Sequence, residues 1–157
     1  MNIIGKATIN PILFYTGKVS GYITWILFIL SVLNIINIAD NSIIFLKYFS
    51  FIIFLAGLVF TIISLINMGK STRLGLPLEN TTLKTNGFYK ISRNPMYLGF
   101  DCFTLASMFF TLNIVVILLG IYSIVIYHLI ILSEEKFLEH RFGKEYSEYK
   151  SKIRRYL

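Results

Sequence analysis

The chain has very little cysteine and lacks the common nucleotide-binding and hydrolase motifs. Cys102 is the single cysteine among 157 residues, which excludes a disulfide framework and a cysteine-based zinc site within one chain. The sequence also contains no GxGxxG, P-loop, HExxH or nucleophile-elbow pattern. A nucleotide-like cofactor would therefore have to bind without a soluble Rossmann domain, and no metal site is expected.

Acidic residues are scarce as well, with eight Asp and Glu against fifteen Lys and Arg and a net charge of +7. This balance does not indicate nucleic-acid binding, because the basic residues do not alternate with exposed aromatic residues on a soluble face. Apolar residues make up 55% of the chain and give a mean hydropathy of +0.69, whereas soluble domains are about 45–50% apolar. Since they form long runs, the chain is predicted to be an integral membrane protein with a single domain, residues 1–157.

Four apolar segments are long enough to cross a bilayer, which takes about 20 residues. They cover residues 21–39, 49–66, 95–112 and 114–132, and the last two are expected to form a tight helical hairpin around Asn113. The sequence leaves open whether residues 1–20 form an interfacial helix, and they carry no cleavable signal-peptide pattern. The predicted fold class is an all-α, polytopic membrane helical bundle.

The positive charges predict the orientation of this bundle. Fourteen of the fifteen Lys and Arg residues fall on one side when both termini and the 67–94 loop share that side, and only Lys47 falls on the other. By the positive-inside rule, both termini are predicted to be cytoplasmic. Polar chemistry is therefore expected in the loop and in the tail after Leu132, which is predicted to be helical with a bend or break at Gly143.

The step Asn94-Pro95 is a typical helix start, since asparagine is a favoured N-cap and proline a favoured first residue. The free N–H groups of such a helix end attract anions, and Arg93 adds a bidentate donor, so together they could hold a carboxylate or phosphate. The alternative is that Asn94 only caps the helix and Arg93 only anchors it to lipid headgroups. These residues alone favour the second interpretation.

Tyr97, Asp101 and His128 are the polar side chains inside the last two predicted spans that are considered for a site. Tyr97 is either an interfacial aromatic residue or part of a site. Asp101, one helical turn further, is costly inside a span unless it faces a partner or a wet cavity. His128 is a candidate partner for Asp101, or else it forms an ordinary interhelical hydrogen bond.

Glu134 and Glu135 follow directly where the fourth span ends. An acidic pair at a helix C-terminus opposes the helix dipole, which predicts a compensating ligand or cation. The alternative is that both are solvated charges near Arg141.

Two ordered motifs resemble a known family. The segment LKTNGFYKISRNPMYLG resembles the core motif G-P-Y-R-x-x-R-H-P-x-Y-x-G of the isoprenylcysteine carboxyl methyltransferase and phospholipid methyltransferase superfamily. The segment EEKFLEHRFGKEYSEYKSKIRRY is similar to the superfamily's E-E-x-x-L…F-G-x-E-Y-x-x-Y ending, with a helical hairpin between the two motifs. The resemblance covers residues 67–155, whereas residues 1–66 contribute only two apolar spans.

The resemblance implies an integral membrane methyltransferase that uses S-adenosylmethionine. Its cofactor pocket would lie at the cytoplasmic end of the bundle, closed by the C-terminal helix and the 67–94 loop. Carried over by position, the residues implied to be catalytic are Arg93, Tyr97 and Glu135. Those implied to bind the cofactor are Gly87, Tyr89, Arg93, Asn94, Pro95, Tyr97, Gly99, Glu134, Glu135, Arg141, Phe142, Tyr146 and Tyr149.

Asn94 is the main departure from the family pattern, because it replaces a histidine. Asparagine can donate a hydrogen bond but cannot titrate near neutral pH, so no acid–base role is expected at this position. The expected acceptor is hydrophobic or lipid-borne, with a carboxylate like that of isoprenylcysteine preferred over a phospholipid amine or a small thiol. The oligomeric state is left open.

Two further interpretations compete with a methyltransferase. One is an NADPH-dependent, sterol-type membrane reductase, against which the Glu134-Glu135 pair and the short chain argue. The other is a non-enzymatic four-helix scaffold or a small transporter, in which the Gly17–Gly21 spacing would assist helix packing and Asp101 would couple to an ion.

Overall fold

The computed structural model describes residues 9–38, 43–68 and 82–157. Across these residues the chain is helical and contains no strand, which confirms the all-α prediction. The helices are α1 (Pro11–Val32), α2 (Ile44–Met68), α3 (Pro95–Thr111), α4 (Ile114–Phe142) and α5 (Lys144–Lys152), with a short 3-10 helix at Gly87–Lys90. Residues 69–81 of the loop that was predicted to close the pocket lie outside the described residues.

Three of the helices are long and apolar enough to cross a membrane, namely α1, α2 and α4. The fourth predicted span, α3, has 17 residues, which is the short limit of the roughly 17–25 residues that cross a bilayer. The described helices therefore form a helical membrane bundle.

The first helix begins at Pro11 rather than at residue 21, and it ends at Val32 rather than at residue 39. The Asn10 side chain accepts a hydrogen bond of 2.9 Å from the backbone N–H of Ile12, so Asn10-Pro11 starts α1. After Val32 the chain turns, with Asn34 in the left-handed region at φ 56°. The predicted bounds were wrong because they were set by hydropathy alone. Asn10-Pro11 is a helix start of the same kind as Asn94-Pro95.

Consecutive helices run in opposite directions, which brings the starts of α1 and α3 and the ends of α2 and α4 to one end of the bundle. Gly17 and Gly21 of α1 pack directly against Ile126 and Ser123 of α4. Gly57 of α2 and Gly99 of α3 approach so closely that a Cβ on either would lie 2.9 Å from the other's carbonyl oxygen. The end where α1 starts is called the site end below.

The predicted break after the fourth span is confirmed at Gly143. This residue has φ 50°, a conformation that side chains disfavour, and it separates α4 from α5. The predicted hairpin at Asn113 is also confirmed, since the Asn113 side chain accepts hydrogen bonds from the N–H groups of Val115 and Val116 at the start of α4.

Candidate active site

The segment before α3 starts the helix as predicted, but the Asn94 side chain does not cap it. Asn94 Nδ2 instead donates to Glu135 Oε1 at 3.1 Å and to the carbonyl oxygen of Arg155 at 3.3 Å. The backbone N–H of Asn94 donates to the Ser92 hydroxyl at 3.1 Å. The predicted side-chain cap was therefore wrong: the Nδ2 bonds orient the amide toward Glu135 and Arg155, and the side-chain oxygen accepts no bond from the first turn of α3.

Glu135 lies at the centre of this hydrogen-bond network and is 4% exposed. Its Oε1 accepts from Arg93 Nη2 at 2.9 Å and from Arg93 Nε at 3.2 Å. Its Oε2 accepts from Arg155 Nη2 at 2.9 Å and from Arg155 Nε at 3.1 Å. Glu135 thus has two compensating cations, as predicted for the acidic pair, but the expected position at a helix C-terminus was wrong because α4 continues to Phe142. The ion pair with Glu135 raises the pKa of Arg155.

Glu134 belongs to a separate cluster. The Tyr97 hydroxyl donates to Glu134 Oε1 at 2.8 Å, and Lys18 of α1 is near enough to interact electrostatically with this carboxylate. Burial, and secondarily the Glu134 carboxylate, raise the pKa of Tyr89 to about 12. The two adjacent glutamates therefore serve different partners, Glu134 facing Tyr97 and Glu135 facing the arginines.

An open cavity lies at the site end of the bundle and has an empty volume of about 620 Å³, its mouth included. The Tyr149 hydroxyl donates to the carbonyl oxygen of Tyr89 at 2.6 Å and so joins α5 to the 3-10 helix across the cavity. The lining residues are Met68, Thr82, Leu83, Lys84, Tyr89, Arg93, Asn94, Leu138, Phe142, Tyr146 and Tyr149.

The residues implied by the resemblance fall into three places. Those that line the cavity are Tyr89, Arg93, Asn94, Phe142, Tyr146 and Tyr149. Tyr97, Glu134 and Glu135 lie in the two carboxylate clusters just described. The others, Gly87, Pro95, Gly99 and Arg141, are not among the lining residues.

Packing explains why Gly87 and Gly99 are glycines. Gly87 has φ 61°, and any Cβ there would collide with the side chain of Asn67. Gly99 packs against Gly57 and Thr61 of α2. Arg141 lies 5.4 Å from the centre of the Phe142 ring, where it can make a cation–π contact.

Sequence reasoning missed several lining residues, namely Met68, Thr82, Leu83, Lys84 and Leu138. Leu138 is one helical turn before Phe142 in the tail, and this spacing is a signal for a position on the same wall. Lys84 lies at the start of the segment LKTNGFYKISRNPMYLG, and this position is the signal that could have identified it.

The suggested pair of Asp101 with His128 is not formed. His128 Nδ1 instead lies 2.6 Å from the hydroxyl of Tyr156, and the two rings stack at 25°. Asp101 Oδ1 is buried and has no hydrogen-bond partner among the described residues. Within residues 9–38, 43–68 and 82–157, no group of three His, Cys, Asp or Glu side chains could hold a metal ion.

Comparison with known proteins identifies the family. A model of the phospholipid methyltransferase family matches residues 45–145, well over half of the chain. The chain belongs to the phospholipid methyltransferase family. Neither curated proteins nor solved structures gave a match.

Membership of the phospholipid methyltransferase family confirms the superfamily resemblance and indicates a membrane methyltransferase. The matched residues include the Arg93–Glu135 pair, the Tyr97–Glu134 pair and most of the cavity wall. Enzymes of this family typically use S-adenosylmethionine as the methyl donor.

Proposed function

We propose that this protein transfers a methyl group from S-adenosylmethionine to a lipid-borne acceptor in the cavity at the site end of the bundle. The observation that supports this most is the cavity itself, because residues of both family motifs form its walls. The cavity opens beside helices that are long and apolar enough to span a membrane, so an acceptor anchored in lipid could approach from the bilayer.

The lining residues fit the chemistry of the cofactor. Tyr89, Phe142 and Tyr149 offer aromatic faces, which suit an adenine ring and attract a sulfonium by cation–π interaction. Burial raises the pKa of Tyr89 and of Tyr146 to about 12, so both phenols stay neutral near pH 7. They can donate hydrogen bonds but do not act as bases.

Polar groups without partners also fit a ligand here. Tyr146 is 1% exposed, and its hydroxyl has no hydrogen-bond partner among the described residues. Asn67 Nδ2, which lies beside Gly87, is also a buried atom without a partner among the described residues, although Asn67 does not line the cavity. Buried polar groups of this kind are costly unless a ligand or water satisfies them. Ribose hydroxyls and the carboxylate of S-adenosylmethionine offer suitable partners.

The chain's own contribution to the reaction would be positioning and exclusion of water. S-adenosylmethionine, when bound, supplies a methyl group on a positively charged sulfur, and transfer is an in-line displacement. Such a step depends on holding donor and acceptor in line, not on acid–base catalysis. The aromatic wall from Tyr89 to Tyr149 would orient the donor and keep water from the acceptor.

We infer a phospholipid amine as the first candidate acceptor, since the matched family is described as phospholipid methyltransferase. An amine must react in its neutral form, so a base has to take its proton, and the carboxylates of Glu134 and Asp101 are candidates for that role. An isoprenylcysteine carboxylate remains a second candidate. A carboxylate acceptor needs no base, because it is already ionised near pH 7.

One assay on the detergent-purified protein tests the function and separates the acceptors. The protein is incubated with methyl-labelled S-adenosylmethionine and either phosphatidylethanolamine vesicles or a prenylcysteine analogue, and the labelled product is identified by mass spectrometry. We expect label in the phospholipid, with S-adenosylhomocysteine as inhibitor. Label in the prenylcysteine analogue alone would select the carboxylate acceptor. Absence of both cofactor binding and transfer would refute the proposed function, and binding of NADPH instead would select the reductase.

Lys84→Ala is expected to weaken cofactor binding about tenfold. Lys84 is half-buried at the cavity and has no ion pair among the described residues, so its ammonium is available for the cofactor carboxylate. Hydrogen bonds to charged groups contribute about 1.5–3 kcal/mol, which corresponds to tenfold or more. The Kd for S-adenosylhomocysteine measured by titration calorimetry checks this. Lys90→Ala is the matched control, because Lys90 is exposed and does not line the cavity. Equal effects of the two variants would contradict the assignment.

A further inference from the structure

The geometry points to a second role for the first motif: Ser92, Arg93 and Asn94 clamp the tail segment, defined as residues 153–157, and thereby hold α5 in place as a wall of the cavity. Arg93 is then a positioning residue that acts through the tail, not a ligand of the cofactor carboxylate. This inference rests on the proposed function, because α5 matters for catalysis only if the cavity holds the cofactor.

Most hydrogen-bond donors of the Arg93 guanidinium are already used, so almost none remain for an external anion. Its side chain is 8% exposed. Nε and Nη2 donate to Glu135, while Nη1 donates to the carbonyl oxygens of Ile153 at 2.6 Å and Lys150 at 3.3 Å. Four of the five N–H donors of the group are therefore used. Bidentate binding of a carboxylate takes two donors, so it would require Arg93 to release Glu135 or the tail.

The carbonyl oxygens that Arg93 binds belong to the end of α5. The last carbonyl groups of a helix have no partner within it and carry partial negative charge. α5 ends at Lys152, so the carbonyl oxygens of Lys150 and Ile153 are at this terminus. Arg93 thus caps α5 from outside and complements its dipole.

The backbone of the tail is held at successive positions by the same short segment. The N–H of Arg93 donates to the carbonyl oxygen of Arg154 at 2.9 Å. The carbonyl oxygen of Arg155 accepts from the Ser92 hydroxyl at 3.1 Å and from Asn94 Nδ2 at 3.3 Å. These contacts hold backbone atoms of Arg154 and Arg155, and they act together with the side-chain contacts of the tail.

Two side chains of the tail complete the docking. The Arg155 guanidinium forms a two-bond ion pair with Glu135 Oε2. Beyond it, the Tyr156 hydroxyl lies 2.6 Å from His128 Nδ1 on α4. The Tyr149 bond to the carbonyl of Tyr89 then joins α5 to the opposite wall. Since Tyr146 and Tyr149 of α5 line the cavity, release of the tail would displace part of the cofactor site.

Arg155→Ala separates this role from direct cofactor binding. Arg155 does not line the cavity, and its removal leaves the Arg93–Glu135 pair in place. We expect the KM for S-adenosylmethionine to rise about tenfold, consistent with loss of a charge-assisted hydrogen-bond pair. Arg155→Lys should restore most of the affinity, since lysine can still pair with Glu135. Lys152→Ala, which removes an exposed cation at the end of α5, is the matched control and should change nothing.

Docking of the tail is measured separately by electron paramagnetic resonance. A nitroxide label is attached to the cysteine introduced by Leu157→Cys in a protein that also carries Cys102→Ser. We expect a spectrum of slow nitroxide motion, which changes to fast motion with Arg155→Ala and returns to slow motion with Arg155→Lys. A slow spectrum in Arg155→Ala, or a mobile one with unchanged KM, would overturn the inference. If the parent protein neither binds nor uses S-adenosylmethionine, the proposed function fails, while the spectra still report whether Arg155 docks the tail.

Discussion

Glu135→Gln is expected to reduce methyl transfer by at least a hundredfold and to lower the thermal unfolding midpoint in detergent. The substitution keeps the shape of the side chain but leaves the guanidinium groups of Arg93 and Arg155 without their counter-charge. Removing one partner of a buried ion pair costs about 3–5 kcal/mol, because the remaining charge stays buried and uncompensated. The rate of label transfer from S-adenosylmethionine and the unfolding midpoint are the two measurements.

Glu139→Gln provides the matched control for this effect. Glu139 lies one helical turn further along α4 and pairs with Lys150 at 3.0 Å, but the two side chains are 44% and 41% exposed. Exposed ion pairs contribute about 0–1 kcal/mol, so this variant should keep nearly full activity and stability. If Glu135→Gln behaved like Glu139→Gln, Glu135 would not be the centre of the site.

The helical architecture could be predicted because it depends on local signals. Long apolar runs identified α2 and α4, and the glycine at position 143 identified the break before α5. The start of α1 was missed although Asn10-Pro11 carries the same local signal as Asn94-Pro95. That error came from giving hydropathy precedence over capping.

The sequence predicted the type of partner that the acidic pair needs, but not which residues provide it. A compensating cation was predicted because Glu134-Glu135 was expected to end the fourth helix, but α4 continues to Phe142 and many cations were available. Arg93 is 42 residues before Glu135 and Arg155 is 20 residues after it, and no local spacing selects these two. The capping role expected of Asn94 was not realised for the same reason, since a bond from its Nδ2 to a carboxylate distant in sequence sets the orientation of the amide.

Tyr97→Phe is expected to lower methyl transfer about tenfold or more and to destabilise the bundle by about 1–3 kcal/mol. The Tyr97 hydroxyl donates to Glu134 Oε1 at 2.8 Å, and Tyr97 is 8% exposed. Its removal leaves a buried carboxylate oxygen without this donor, which costs more than the bond itself contributes. Because Glu134 also acts on Tyr89 of the cavity wall, the disturbance should reach the cofactor site.

The outcome decides between the two interpretations of Tyr97 that the sequence left open. An interfacial aromatic residue holds its position through its ring, so Tyr97→Phe would leave transfer and unfolding unchanged. Tyr122→Phe is the control for that behaviour, since the Tyr122 hydroxyl bonds Thr16 at 2.8 Å on the exposed surface between α1 and α4. A larger effect at Tyr97 than at Tyr122, in both rate and unfolding midpoint, places Tyr97 and Glu134 in the working site. Equal effects would reduce Tyr97 to an anchor of α3.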